Sequence, residues 1–157
     1  MNMHTSILSL DLGSRTGWAL KDANGMITSG TEHFKTGRFE GGGIRYLRFT
    51  HWLTEIKNLA GSLDLISYEE VRRPVRTDSS HVYGGFMATL TAWCELHEVP
   101  YLGVPVGTIK KHATGKGNAG NAEVIAAMRT KGFRPKDDNE ADALALLTWT
   151  VDQRGAL

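Results

Sequence analysis

The order of the apolar segments constrains the fold of this chain more than any other feature. Three short segments with strand character come first, and Asn24-Gly25, a dipeptide typical of tight hairpins, lies between the second and the third. Two more strand-like segments then alternate with segments of helical spacing, and three helical segments follow. The predicted strands are 6–12, 17–21, 26–32, 63–71 and 99–105, and the predicted helices are 44–60, about 80–97, 107–113, 121–131 and 138–151.

This order predicts how the sheet is connected. The first three strands can pair through hairpins, whereas the last two are reached through helices, which is typical of parallel pairing. We therefore expect an α/β fold whose mixed sheet has three antiparallel strands and then two parallel ones, with helices on both faces. Gly61 is expected to end the first helix, and Ser79 or Ser80 to cap the second.

Composition limits the classes of protein that need to be considered. The chain has 157 residues, so we expect one domain spanning 1–157. It has no apolar run near the ~18 residues of a membrane span, and no basic segment followed by a long apolar one as in a secretory signal. The single cysteine, Cys94, excludes an internal disulfide, is expected in the core and fits a reducing, cytoplasmic compartment. A net charge of +1 does not by itself indicate a nucleic-acid-binding protein.

An acid ends the first predicted strand. Asp11 follows an apolar run and precedes a turn containing Gly13 and Ser14. A carboxylate there is costly to desolvate unless a metal ion, a basic side chain or backbone amides meet it. Capping of the turn by Asp11 is the simplest alternative to a metal-binding role.

Further acids lie where they could meet Asp11. The fourth strand ends in two glutamates that point to opposite faces, so only one of Glu69 and Glu70 can face the site. Asp142 lies in the apolar interior of the last helix, where an acid is unusual unless it is paired or binds a metal. Asp138 lies one turn earlier on the same face, and it could serve only the helix terminus instead.

Asp137 and Glu140, by contrast, have the spacing of a capping pair. If Asp11, one of the two glutamates, Asp138 and Asp142 converge, their carboxylates could not all stay ionised without cations. Oxygen-only ligands favour Mg²⁺ or Mn²⁺, and two such ions close together are suited to displacement at a phosphodiester.

Four segments together resemble the motif regions of the RuvC family of Holliday junction resolvases, which have a ribonuclease H-like fold. They are LSLDLGSRTGWAL, LISYEEV, VPVGTIKKHATGKGNAGNAEV and NEADALALLTW, and their order and spacing match over nearly the whole chain. The resemblance implies a homodimeric endonuclease that uses two Mg²⁺ ions, replaceable by Mn²⁺, to nick two strands of a four-way DNA junction. It would act in the cytoplasm of a bacterium or of a phage-infected host.

The resemblance also implies roles for individual residues. Asp11, Glu69 and Asp142 match family acids that bind metal, and Lys110 matches a lysine near the scissile phosphate. The family's fourth acid falls on Asn139, so we expect Asp138 to take its role. The residues expected to contact DNA are Arg72, Arg73, Arg76, Lys110, Lys111, Thr114, Gly115, Lys116 and Gly117.

Two other departures from the family pattern concern DNA. A second basic residue expected after the T-G-x-G loop falls on Asn121, and Lys116 within the loop is expected to compensate. An aromatic residue that often follows the second motif is replaced by Arg72-Arg73, which favours phosphate contacts over unstacking by a ring at that position.

Other functions remain open from the sequence. The same chemistry would suit a flap or branched-DNA nuclease or an RNA-processing relative of the YqgF group. A non-catalytic junction-binding module is a third possibility, because Asn139 removes one acid. Actin-like ATPases share the Asp-x-Gly-Ser pattern, but they need two such domains around a nucleotide cleft, and this chain is too short for that.

Overall fold

The sheet and its helices follow the predicted order. The structure, a computed structural model, describes residues 4–71 and 77–155, with only the backbone for 77–79. Its strands are β1 (Ile7–Asp11), β2 (Arg15–Lys21), β3 (Ile27–His33), β4 (Leu65–Glu70) and β5 (Tyr101–Pro105). Its helices are α1 (Ile44–Ala60), α2 (Thr77–Leu96), α3 (Val106–Thr114), α4 (Asn121–Thr130) and α5 (Asp138–Gly155).

The five strands form one mixed sheet in the order β3-β2-β1-β4-β5. β1 pairs with β2 and β2 with β3 in antiparallel fashion, whereas β4 pairs with β1 and β5 with β4 in parallel. The predicted mixed sheet of three antiparallel and two parallel strands is therefore confirmed. Because β1 and β4 are parallel neighbours, their carboxyl ends lie at the same edge of the sheet.

Two layers of helices cover the sheet. Leu8, Leu10 and Ile66 pack on one face with side chains of α1 and α2, including Cys94, which is fully buried as predicted. Ile7, Ala19 and Leu65 pack on the other face with side chains of α3, α4 and α5. Alternate residues of β1 and β4 therefore face opposite helix layers, and the odd-numbered ones face α5.

The helix boundaries differ from the predictions at the start of α2 and at the end of α5, which reaches Gly155 rather than 151. Helix α2 already includes Thr77, the first residue described after 71, so Ser79 and Ser80 lie inside it and the predicted cap is wrong. The sequence Thr-Asp-Ser-Ser contains four residues that all favour helix starts, which is why the pattern could not select among them. Gly61 ends α1 as predicted, with a φ of 82°. Within the described ranges, no helix is both long and apolar enough to cross a lipid bilayer.

Candidate active site

Three carboxylates from distant parts of the chain meet at one edge of the sheet. One ligand oxygen from each of Asp11, Glu69 and Asp142 lies within 4.8 Å of the other two, and all three side chains are half-buried. Asp11 ends β1, Glu69 lies at the end of β4, and Asp142 lies in the second turn of α5. The expectation that these acids converge agrees with this geometry.

Strand alternation decides which glutamate joins the group. Ser9 pairs with Ser67 in the β1–β4 register, so Asp11 and Glu69 follow at the strand ends on the same face, toward α5. Glu70 points to the other side, where its carboxylate lies against Gly103. The structure therefore places Glu69 in the site.

Gly17 sets the distance between α5 and the sheet. It lies opposite Asp11 in the β1–β2 register. A Cβ at Gly17 would overlap the backbone carbonyl of Asn139 in the first turn of α5. Because the position carries no side chain, the start of the helix rests directly on the sheet, and Asp142 comes beside Asp11.

Burial and mutual repulsion make the carboxyl groups of Asp11 and Asp142 reluctant to ionise. Burial raises the pKa of Asp11 well above its ordinary value, and the charges of Glu69 and Asp142 and a hydrogen bond with Glu69 raise it further. Burial also raises the pKa of Asp142 to about 7; Glu69 adds to this shift and the positive charge of Lys110 opposes it.

This donor set fits a hard divalent cation. All three groups offer oxygen ligands, which are those preferred by Mg²⁺ and Mn²⁺. A bound cation would relieve the repulsion that raises the pKa values of Asp11 and Asp142. The triad could therefore hold a metal ion.

Three buried hydroxyl groups lie below the carboxylates. The Ser9 and Ser67 hydroxyls are 2.7 Å apart, and the Thr150 hydroxyl donates to Ser67 Oγ at 2.9 Å. They join β1, β4 and α5, which carry the three acids. We call Ser9, Ser67 and Thr150 the hydroxyl chain. Sequence reasoning missed it, since small polar residues in strands and helices carry no signal of their partners.

Removing the middle member of the hydroxyl chain should destabilise the fold. For Ser67→Ala, we expect a loss of about 1–3 kcal/mol in the free energy of unfolding, because the buried Ser9 hydroxyl loses its partner. Urea denaturation of the single variants and of Ser9→Ala/Ser67→Ala measures it. The double variant should lose less than the sum of the singles, and strictly additive losses would contradict a coupled pair.

Asp138 lies near the triad but is not part of it. Its carboxylate accepts a hydrogen bond from the Asn121 side-chain amide at 3.0 Å. Its charge nevertheless contributes to the raised pKa values of Asp11 and Asp142, so the distance is short enough for electrostatic influence. The family pattern predicts a basic residue at position 121, whereas Asn121 here donates a hydrogen bond to the Asp138 carboxylate. The metal-binding role of Asp138 stays a prediction.

Asp137 and Glu140 cap the start of α5. Asp137 Oδ1 accepts the backbone amide of Glu140 at 2.8 Å, and Glu140 Oε1 accepts the amide of Lys136 at 2.9 Å. Glu140 is buried, and its other oxygen accepts the Ser29 hydroxyl at 2.7 Å. The predicted capping pair is therefore confirmed, and it also ties α5 to β3.

Lys110 lies beside the acids. It lines a small pocket together with Glu69 and Asp142, and its charge lowers the pKa of Asp142 relative to the effect of burial alone. Lys111 is exposed on the same helix. A positive charge directly beside the carboxylates could meet a phosphate bound there.

The predicted phosphate loop follows α3. Thr114 Oγ1 accepts the Lys116 amide at 3.1 Å, and Gly115 has a φ of 87°, a conformation that favours glycine. Lys116 forms an exposed ion pair with Glu123 at 3.6 Å, and Gly117 packs back toward the start of α3. The DNA-contacting roles of these residues stay predictions. Arg72, Arg73 and Arg76 lie outside the described residues.

Comparison with solved structures finds the same architecture in Holliday junction resolvases. Thermus thermophilus RuvC in complex with a Holliday junction substrate superimposes with a TM-score of 0.75 at 20% identity, covering 91% of this chain and 90% of that one. A further Thermus thermophilus RuvC structure gives 0.70 at 20% identity, covering 90% of both chains. The yeast mitochondrial resolvase Ydc2 gives 0.60 at 10% identity, covering 91% of this chain and 76% of that one.

Comparison of the sequence with known families and proteins identifies no relative. No protein-family model matches the chain, and no curated protein sequence matches it. The predicted ribonuclease H-like fold of the RuvC resolvases is nevertheless confirmed by the structural match. At this level of identity the likeness establishes the fold, and the function depends on what the site can do.

Proposed function

We propose that this chain is a metal-dependent endonuclease, a single nuclease domain that resolves four-way DNA junctions by paired nicks. The observation that carries the proposal is the meeting of Asp11, Glu69 and Asp142 at the carboxyl edge of the sheet. Support for the substrate comes from the fold, since a protein of the same architecture is described in complex with a Holliday junction.

The proposal assigns separate tasks to the acids and the lysine. Asp11, Glu69 and Asp142, completed by Asp138, hold two Mg²⁺ ions, and Mn²⁺ can replace them. Metal ions bound there supply an activated water and stabilise the leaving oxygen of the phosphodiester. Lys110 neutralises the charge that develops on the scissile phosphate, for which its position beside Glu69 and Asp142 is suited.

Substrate binding uses residues around this edge. We assign phosphate contacts to Lys111, Lys116 and the backbone amides of residues 114–117, and to Arg72, Arg73 and Arg76. Phosphate contacts fix the position of a protein on DNA without reading its sequence. Two symmetric nicks require two active sites, so the proposal includes a homodimer.

The test is a cleavage assay on a labelled four-way junction, a flap and a plain duplex of shared sequence, with Mg²⁺. Wild-type protein should cut the junction at symmetric positions and leave the duplex intact. Asp11→Asn and Glu69→Gln should each cut at least about a hundredfold more slowly, the scale of losing one charge-stabilising group. Glu70→Gln is the matched control, because Glu70 lies on the other face of the strand, and it should cut like wild type.

Each other outcome identifies an alternative. Equal cutting of flap and junction would make the chain a general branched-DNA nuclease. Cutting of structured RNA in place of DNA would favour an RNA-processing enzyme. Junction binding without cutting in Mg²⁺ or Mn²⁺ would indicate a binding module, and full activity of Asp11→Asn would show that the assigned site is wrong.

A further inference from the structure

One aromatic side chain extends almost completely into solvent. Phe39 is 94% exposed, more than any other large apolar residue in the described part of the chain; Leu59 follows at 82%. Single exposed apolar residues are common and need no explanation on their own. Phe39 differs because the segment that carries it is held in a defined shape.

A carboxylate clamp fixes the turn under Phe39. Glu40 Oε1 accepts the Gly37 amide at 2.6 Å, and the Glu40 amide donates to the Gly37 carbonyl at 3.1 Å. Arg48 donates to both Glu40 oxygens, at 3.1 and 2.6 Å, and to the Lys35 carbonyl at 2.9 Å. The turn Gly37–Glu40 is therefore anchored to α1, and Phe39 lies at its tip.

The tip lies at the edge of the sheet that carries the three acids. Because β2 is antiparallel to both neighbours, β3 ends at the same edge as β1. The Phe34 amide donates to the Ser14 carbonyl at 2.7 Å, and Arg45 donates to Ser14 Oγ at 3.3 Å. Ser14 belongs to the turn that follows Asp11, so DNA bound at the acids would pass beside this loop.

The surroundings of the ring favour an anionic occupant. Lys35 and Arg38 are exposed and have no acidic partner among the described residues. The Arg38 guanidinium lies 5.6 Å from the centre of the Phe39 ring. Glu40, the acid of the turn, is neutralised by Arg48. The tip therefore offers a flat apolar face within a positive surface.

A nucleotide with an unstacked base has the matching chemistry. Its base offers a flat face to stack on an aromatic ring, and its phosphate is attracted to neighbouring lysine and arginine side chains. A protein partner is less suited, because a stable interface buries about 800 Å² on each side and one ring offers a small fraction of that area.

From these observations we propose that Phe39 stacks on a DNA base whose stacking is interrupted at the branch point, while Lys35 and Arg38 contact the adjoining phosphates. This inference rests on the proposed function and adds a residue that discriminates branched DNA from duplex DNA. In an intact duplex every base is already stacked on its neighbours, so the ring gains a partner only where this stacking is interrupted, as at a branch point.

The test separates binding from cleavage. In the full chain carrying Asp11→Asn, affinity for the four-way junction and for duplex is measured in Mg²⁺ with and without Phe39→Ala. We expect Phe39→Ala to weaken junction binding by about 5- to 150-fold, the range for losing one stacked base, and duplex binding by less than about twofold. Phe39→Trp should restore junction binding, whereas Phe39→Leu should not.

A fluorescent base reports the contact directly. 2-Aminopurine is placed in turn at each nucleotide that flanks the crossover, and its emission is recorded on binding. The emission should change at one or two positions and this change should vanish with Phe39→Ala. Leu59→Ala is the matched control, since Leu59 is also highly exposed but lies at the far end of α1, next to the opposite edge of the sheet.

Three results would overturn the inference. Equal junction affinity of the Phe39→Ala and Leu59→Ala proteins would remove Phe39 from DNA binding and leave the proposed nuclease intact. A change of oligomeric state in Phe39→Ala, measured by sedimentation, would assign the ring to a protein contact. Failure of the parent protein to bind any branched DNA would remove the proposed function and the inference together.

Discussion

Gly17→Ala should separate the carboxylates and nearly abolish cleavage. The added Cβ would overlap the Asn139 carbonyl, so the first turn of α5 must move away from β2. We expect about 1–3 kcal/mol of lost stability, the usual cost of overpacking a tight contact. Cleavage should fall by about a hundredfold or more, because misplacing a catalytic group by about 1 Å has effects of that size. Junction cleavage and urea denaturation measure the two effects.

A control variant distinguishes displacement of α5 from the general effect of replacing a glycine by alanine. Gly84 lies within α2 and nothing lies within 4 Å of the position its Cβ would take. Gly84→Ala should therefore keep full cleavage and gain up to about 1 kcal/mol of stability, since alanine favours helix more than glycine does. Wild-type cleavage by Gly17→Ala would mean that the close approach of α5 does not position Asp142.

Asp142→Asn should stabilise the metal-free protein while removing cleavage. The pKa of Asp142 is about 7 in the folded chain, against about 3.9 in an unfolded one. Between these values the folded chain keeps a proton that the unfolded chain has lost. The contribution of Asp142 to stability is therefore complete below about pH 4 and is lost as the pH rises toward 7. Asparagine has no charge to bury and avoids this loss.

The measurement is urea denaturation in EDTA at pH 5 and pH 8. The stability gained by Asp142→Asn should be about 2.5–3 kcal/mol larger at pH 8 than at pH 5, since the pKa of Asp142 lies about two units above pH 5 and each pKa unit corresponds to about 1.4 kcal/mol. Adding Mg²⁺ at pH 8 should stabilise the wild-type protein and leave the variant unchanged. Glu55→Gln, at an exposed position on α1, is the control. Parallel pH dependence of wild type and Asp142→Asn would contradict the expectation.

The triad could be predicted from the sequence because two of its acids violate a local pattern and the third matches a family motif. Asp11 interrupts an apolar strand end and Asp142 interrupts an apolar helix. Strand alternation allows only one of the two glutamates to face them, and the resemblance to the second RuvC motif selects Glu69. Such violations are visible without knowing what packs where. The mixed sheet could be predicted for a similar reason, because hairpins and helical crossovers permit few other pairings.

Other features depend on contacts between distant segments, and sequence reasoning missed them. The sequence does not distinguish Gly17 from other glycines in strands, because its role depends on the start of α5 packing against it. Phe39 lies in a segment that has only loop character in the sequence, and the turn that carries it is fixed by the contact of Glu40 with Arg48 on α1. The predicted start of α2 is wrong because four consecutive residues favour a helix start equally well.

The hydroxyl chain also bears on the order in which the molecule assembles. Ser9 and Ser67 are 58 residues apart, and Thr150 lies another 83 residues along the chain, so these contacts close long loops. The hairpins that join β1, β2 and β3 close only short loops and can therefore form early. The three acids therefore come together only once α5 has docked on the sheet. If this docking follows the transition state for folding, a metal ion bound there would mainly slow unfolding and would leave the rate of folding nearly unchanged.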